Sequence, residues 1–188
     1  MSRFSDYLDL ISNVNDLPCD LENSQKVQWL FYCGMLFSSK DKWWGDFKFR
    51  HAFHEGIDIT YYRRHPGKIH SFNDSFKVPA MEDGIILNIC SDFLGQTLVV
   101  EHKNLRSSNK RVVFVYSHII LEKALRIGHG IIKKQVISRV CDTHKNPQLP
   151  PHLHFSCFEI PKKILLRHLD WSIFPSHPDI NQINPVFL

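Results

Sequence analysis

Between Phe47 and Phe158 the sequence has no apolar-periodic run long enough for a helix. It offers instead a succession of short runs rich in β-branched and aromatic residues, cut apart by turn formers. Ile57, Ile59 and Tyr61 alternate with Asp58, Thr60 and Tyr62, the two-residue period of a strand. Similar runs follow at 84–90, 97–101, 112–116, 131–140 and 153–158, separated by Pro79, Asp83-Gly84, Gly95, Ser107-Ser108-Asn109 and the stretch from Pro147 to Pro151. Many short strands without a long helix between them predict an antiparallel all-β core. Ahead of it, Phe4, Tyr7, Leu8 and Ile11 recur at helical spacing. Val27, Leu30, Phe31 and Gly34 repeat that spacing after a break at Leu17-Pro18, so N-terminal helices are expected. Behind it, Pro161 suits the first turn of a short C-terminal helix through Ile164, Leu165 and Leu169, and 175–188 is too rich in proline and polar residues for a regular element. The 188 residues thus divide into an N-terminal helical extension (1–46), a β domain (47–159) and a C-terminal helix and tail (160–188).

Composition excludes more than it identifies. The formal net charge is +4, and apart from Arg63-Arg64 and Lys162-Lys163 the basic residues are scattered, so no nucleic-acid partner is expected. The five cysteines (Cys19, Cys33, Cys90, Cys141, Cys157) are odd in number and widely spaced, which indicates free thiols and a reducing compartment. The first residues show no apolar signal-peptide core. The longest apolar stretch, 27–37, falls short of the ~20 residues that span a bilayer. A cytoplasmic location is the default expectation, or export by an unrecognised route. The one oddity is a set of twelve histidines.

Three constellations among them bear chemistry. His54-Glu55-Gly56-Ile57-Asp58 puts a histidine and an aspartate four apart, in a segment that reads as a loop entering a strand. His152-Leu153-His154 projects two imidazoles to one side of a strand while Leu153 points to the core. Tyr116-Ser117-His118 ends an apolar run, where a polar side chain emerges at a sheet edge. A catalytic zinc takes three ligands from His, Asp or Glu and keeps a fourth position for water. Two histidines and one aspartate meet that demand, and two histidines remain for proton transfer.

The order of these motifs resembles the lysostaphin-type (LytM-like) zinc endopeptidases, which act on the peptide part of bacterial peptidoglycan. His54 to Ile59 is similar to their His-x-Gly-x-Asp motif. Val78-Pro79-Ala80 through Asp83-Gly84 and Gly95 to His102 resemble two of their hairpin segments. Tyr116-Ser117-His118 resembles the central Tyr-x-His, and Pro151-His152-Leu153-His154-Phe155 the closing Pro-His-Leu-His-Phe. The resemblance runs from about Phe47 to Phe158. It implies an open, two-layered antiparallel β structure of the duplicated hybrid motif type, with a groove for an extended peptide. It further implies one zinc per chain held by His54, Asp58 and His154, with His118 and His152 as catalytic histidines. His152 is expected on the base side and His118 on the oxyanion side, with the reverse left open.

The sequence departs from the family at its glycine-rich stretch, where Lys134, Ser138, Cys141 and His144 stand in glycine positions. Non-glycine residues resist positive φ, so different turns are expected there. Rival readings are a helical zincin with Glu55 as base, a structural zinc held by Cys141, His144, His152 and His154, and a cysteine hydrolase built on Cys157. A catalytically silent relative that binds peptides or regulates another hydrolase is the main alternative. His51, His65, His70, His102, His129, His168 and His177 read as surface or hydrogen-bonded residues, with His51 also a candidate to support the metal site. Trp43, Trp44, Tyr61 and Tyr62 read as core before groove.

Overall fold

The computed structural model describes residues 3–17, 27–63, 67–102, 109–143 and 148–187. Pro18, Cys19, Arg64, His65, Ser107, Ser108, His144 and Pro147, singled out above, lie outside the described residues.

The structure is an all-β antiparallel assembly with one helix at its N-terminal end. Helix α1 (Phe4–Val14) keeps its apolar stripe of Phe4, Tyr7, Leu10 and Ile11 buried. Tyr7 sits 5.0 Å and Phe4 6.4 Å, ring to ring, from Phe155 of the sheet. The second segment with helical spacing forms strand β1 (Gln28–Leu30) and a 3-10 turn at Cys33–Met35. Its pattern covers barely two turns. The pairing of β1 with β3 (Tyr61–Arg63) and the packing of Trp29 on Tyr62 and Phe72, 6.0 Å each, outweigh it.

A first, three-stranded sheet has the order β1-β3-β4, with β4 at Ile69–His70. The main sheet uses β2 (Gly56–Ile59), β5 (Lys77–Pro79), β6 (Gly84–Ser91), β7 (Gln96–His102) and β8 (Lys110–Leu121). It continues with β9 (Gly130–Ile131), β10 (Val136–Val140), β11 (Leu153–Pro161) and β12 (Asn181–Ile183). Its path is β12-β11-β8-β7-β6-β9. Strand β2 joins the free side of β11, and β10 bridges β8 and β5.

Its central strands are apolar on both faces because both faces are covered. One face carries Leu98, Val100, Phe114, Tyr116, Leu153 and Phe155 under α1 and the Phe72–Met81 region. The other carries Val99, Val113, Val115, Phe158 and Ile160 under Leu169, Phe174 and Ile180 from the C-terminal segment. That segment contains a 3-10 turn at Leu166–His168 where a short helix was expected. It is held flat on the sheet by the stack of Phe174 on Phe158 (4.7 Å) and by Asn88 Nδ2, which donates to the Leu169 carbonyl. Continuous helix would lift these side chains off the sheet.

Candidate functional site

Followed along β8 and β11, the second face turns from apolar to polar. Val115 gives way to Ser117, and Phe158 to Ser156 and then His154. His154 lies directly opposite Ser117 of β8 on one side and opposite Asp58 of β2 on the other. Alternation sends Ile57, Ile59, Leu153 and Phe155 into the core and leaves Asp58, His152 and His154 on the opposite side.

His118 reaches the same place by a different device. Gln96 pairs with Ile119 and Leu98 with Tyr116, so Thr97 alone faces both Ser117 and His118. This is a β-bulge, with His118 in the left-handed region at φ 63°. The extra residue lets Ser117 and His118 both serve the polar face while Tyr116 and Ile119 stay in the core.

Three donor atoms converge. His54 Nε2 is 3.2 Å from Asp58 Oδ1 and 3.1 Å from His154 Nδ1, which is itself 2.8 Å from Asp58 Oδ1. Ligand atoms about 2.0–2.2 Å from one tetrahedral ion lie roughly 3.3–3.6 Å apart. The donors are therefore spaced, slightly tighter, as one face of a coordination sphere. Second partners fix which atoms are offered. The His54 Nδ1–H donates to the Leu36 carbonyl at 3.1 Å, leaving Nε2 free. His154 Nε2 is 2.7 Å from Ser156 Oγ, a hydroxyl able to accept its hydrogen and leave Nδ1 to the cluster. Asp58 Oδ2 accepts from Trp43 Nε1 at 2.6 Å and from the Arg50 guanidinium at 3.2 Å, so only Oδ1 faces the histidines. Gly56 is required by close approach: a Cβ there would lie 2.4 Å from Ser156 Oγ and 2.9 Å from His154 Nε2.

For Asp58 and His154 the electrostatics favour the protonation states that ligate a cation. Burial would raise the carboxyl of Asp58, but the pull of His54 and His152 and hydrogen bonds from His154 and His54 hold it well below the usual carboxylate range. Burial lowers His154 against the opposing pull of Asp58. Burial likewise takes His152 down to about 3, against the same opposition. The donor set of two imidazoles and one carboxylate can hold a metal ion and suits zinc.

His152 and His118 flank this group, their rings 4.9 Å apart. The His152 Nδ1–H donates to the Pro150 carbonyl at 2.9 Å, and its Nε2 lies 3.9 Å from Asp58 Oδ1. His118 Nδ1 is bound to Asp92 Oδ1 at 3.0 Å. All five residues line one pocket of about 390 Å³, walled also by Trp44, Phe93 and Trp171. The Trp171 ring is 5.3 Å from His154, and the exposed Phe93 ring 4.6 Å from His118.

The structure thus brings together His54, Asp58, His118, His152 and His154. His51 is exposed, while its neighbour Arg50 reaches Asp58. Trp43 is core, as read, and touches the site as well; Trp44 lines the pocket. Glu55 borders the pocket but precedes a strand, so the helical zincin geometry does not form. Cys157 is fully buried, with its thiol pushed up by burial. Asp92, Ser156 and Trp171 were missed. Strand alternation from His154 points to Ser156, but nothing local marks Asp92 beyond a turn.

Compared with protein-family models and with curated proteins, the chain finds no match. Among solved structures it is similar to the catalytic domain of the prophage-encoded M23 protein EnpA from Enterococcus faecalis, at 16% identity. That match covers 84% of this chain and 94% of that one, with a TM-score of 0.44. It is similar to lysostaphin at 17% identity, over 68% of this chain and 48% of that one, TM-score 0.44. A zinc-containing peptidase from Vibrio cholerae matches at 17% identity, over 85% of this chain and 36% of that one, TM-score 0.46.

Proposed function

We propose that this chain is a zinc-dependent endopeptidase of the lysostaphin type that hydrolyses peptide bonds, with peptidoglycan stem peptides or cross-links as its leading substrates. One observation carries the reading. His54 Nε2, Asp58 Oδ1 and His154 Nδ1 converge within about one coordination face while the remaining polar atoms of the same side chains are tied to Leu36, Trp43, Arg50 and Ser156. A nearly dry cluster that turns three ligand atoms on one point, with Arg50 answering the Asp58 charge only at its other oxygen, is completed by a cation.

His54, Asp58 and His154 would hold one zinc ion. When bound, the ion supplies Lewis acidity, lowering the pKa of a water to about 7 and polarising a carbonyl. The chain's own residues supply the rest. Trp43 and Arg50 keep Asp58 ionised and turned to present one oxygen. His118 and His152 stand on the open side of the ligand group, where one accepts a proton from the attacking water and the pair returns a proton to the leaving amine. Trp44, Phe93 and Trp171 exclude solvent from the pocket and offer apolar surface to an extended peptide. Residues 47–159 carry the chemistry in this reading, and Trp44 before them and Trp171 and Pro175 after them wall the groove.

The test separates ligands from catalysts. Purified protein should hold about one zinc per chain, and His54→Ala, Asp58→Ala and His154→Ala should each lose it. His118→Ala and His152→Ala should keep zinc but lose on the order of a hundredfold in turnover of wall peptides. Elemental analysis and mass spectrometry of the released fragments read both. Full zinc in all three ligand variants, or no chelator-sensitive cleavage of peptidoglycan or of unrelated extended peptides, would overturn the reading.

A further inference from the structure

Five groups donate to one carboxylate at the rim of the pocket. Asp92 closes the β6–β7 turn by accepting the Leu94 N–H at 2.9 Å and the Gly95 N–H at 2.7 Å on Oδ1. Its Oδ2 lies 2.9 Å from the Thr97 hydroxyl. These contacts alone make an ordinary aspartate turn. The other two do not belong to the turn, because they come from His118, on the neighbouring strand. The His118 backbone N–H donates to Oδ2 at 2.9 Å and Nδ1 donates to Oδ1 at 3.0 Å. The Asp92 side chain is 1% exposed, so each contact is made in a dry setting.

The backbone contact has a structural cause. At the bulge, the His118 N–H is displaced from the ladder with β7, and a displaced buried donor needs another acceptor. Asp92 Oδ2 is that acceptor, and it holds His118 in its left-handed conformation. The ring contact has a chemical consequence. A carboxylate can only accept, so Nδ1 must carry the hydrogen, and the nitrogen left for the pocket is Nε2. His152 is oriented the same way, but by the Pro150 carbonyl, which is neutral. The carboxylate near His152 is Asp58, 3.9 Å from its Nε2 and turned to the ligand group. Of the two imidazoles, only His118 has a carboxylate hydrogen-bonded to its Nδ1, where it supports the charge that appears when Nε2 takes a proton. This is the relation between the buried aspartate and the histidine of a serine-protease triad.

We propose that Asp92 is the positioning residue that makes His118, and not His152, the proton acceptor of this site. The inference rests on the hydrolase reading for its catalytic part, and its structural part can be read without any activity.

The structural part is tested on the zinc-loaded full chain with 15N-labelled histidine at alkaline pH, where neutral rings report their tautomer. A long-range 1H–15N spectrum, with His118 assigned by its loss in His118→Gln, should show hydrogen on Nδ1 and a bare Nε2. Asp92→Ala should shift that ring to mixed tautomers. Hydrogen on Nε2 in the wild type, or an unchanged His118 pattern in Asp92→Ala, overturns the proposal. If Asp92→Ala does not fold, the wild-type spectrum alone still decides this part.

The catalytic part is tested by kinetics. Asp92→Ala should lower kcat on the order of a hundredfold with KM within about threefold of wild type and zinc retained. In a His118→Ala background it should add nothing, because it acts through that ring. Additive losses, or a loss confined to KM, overturn it. Absence of any wild-type cleavage would sink the hydrolase reading instead, and the tautomer measurement would then decide the role of Asp92.

Discussion

Trp43 shows what a single side chain can do in two capacities. Its ring fills a small core with Met35 and Leu149, and its indole N–H fixes Asp58 Oδ2 at 2.6 Å. Trp43→Phe keeps most of the packing and deletes the donor, so zinc affinity should fall about tenfold or more, the usual effect of losing such a supporting contact. Competition with a chromophoric chelator measures this, and an unchanged affinity would show that Arg50 suffices. His102 is a residue of another kind, buried far from the pocket. Its Nδ1 is bound to the Asp83 carbonyl at 2.8 Å and its Nε2 has no hydrogen-bond partner among the described residues. Burial depresses it from 6.5 to about 4, against weaker opposing effects of Asp83 and Glu82. Above pH 6.5 the ring is neutral folded or unfolded and costs nothing. As pH falls below that value the unfolded chain takes up the proton first, so stability is lost between about 6.5 and about 4. The loss reaches roughly 3 kcal/mol by the linkage relation. Urea unfolding across this window should give a flatter pH profile for His102→Phe than for the wild type; parallel profiles would refute the assignment.

At the level of elements, the phase of a strand is what a sequence reveals best, and its interruptions are what it hides. The alternation through His152-Leu153-His154 put both imidazoles on one side and Leu153 in the core, as the structure has them; that Asp58 shares this side comes from the pairing of β2 with β11. The bulge that delivers His118 leaves no local signal, because Tyr116-Ser117-His118 is an unremarkable strand end until β7 is laid beside it with one residue fewer. The β9–β10 turn shows the opposite error. Different turns were expected where glycine was lacking, yet Lys134 takes the left-handed conformation itself, at φ 72°. Its N–H donates to the Ala80 carbonyl at 3.0 Å, and the residue is exposed. An L residue in that region costs roughly 1–2 kcal/mol, partly offset for glycine by chain entropy. Lys134→Gly should therefore stabilise the protein by about 1 kcal/mol in denaturant titration, and a destabilised variant would show that the strain is absent.

At the scale of the whole molecule, the main sheet has two covered faces and the chain's ends do the covering. Helix α1 seals one face; the segment around Leu169, Phe174 and Ile180 seals the other and carries Trp171 to the pocket, its indole N–H donating to Thr97. Phe174→Ala should destabilise the entire protein by about 3–5 kcal/mol. Unfolding should stay a single transition, with Trp fluorescence and far-ultraviolet circular dichroism falling together. Two separated transitions would mean that the C-terminal segment folds apart from the sheet. No helix among the described residues is long and apolar enough to cross a membrane.

The sequence by itself determined the class of the fold and the chemical content of the site. Strand period, turn residues and the spacing within His54 to Asp58 and His152 to His154 are local properties, and local properties survive in a string of letters. Only the tertiary structure decided what each of those groups is bonded to. Arg50 on Asp58, Leu36 on His54, Asp92 on His118 and Trp171 over His154 are contacts between segments far apart in the chain or out of phase with it. They are set by strand register, by one bulge and by how two chain ends pack on a sheet, none of which has a period to be read.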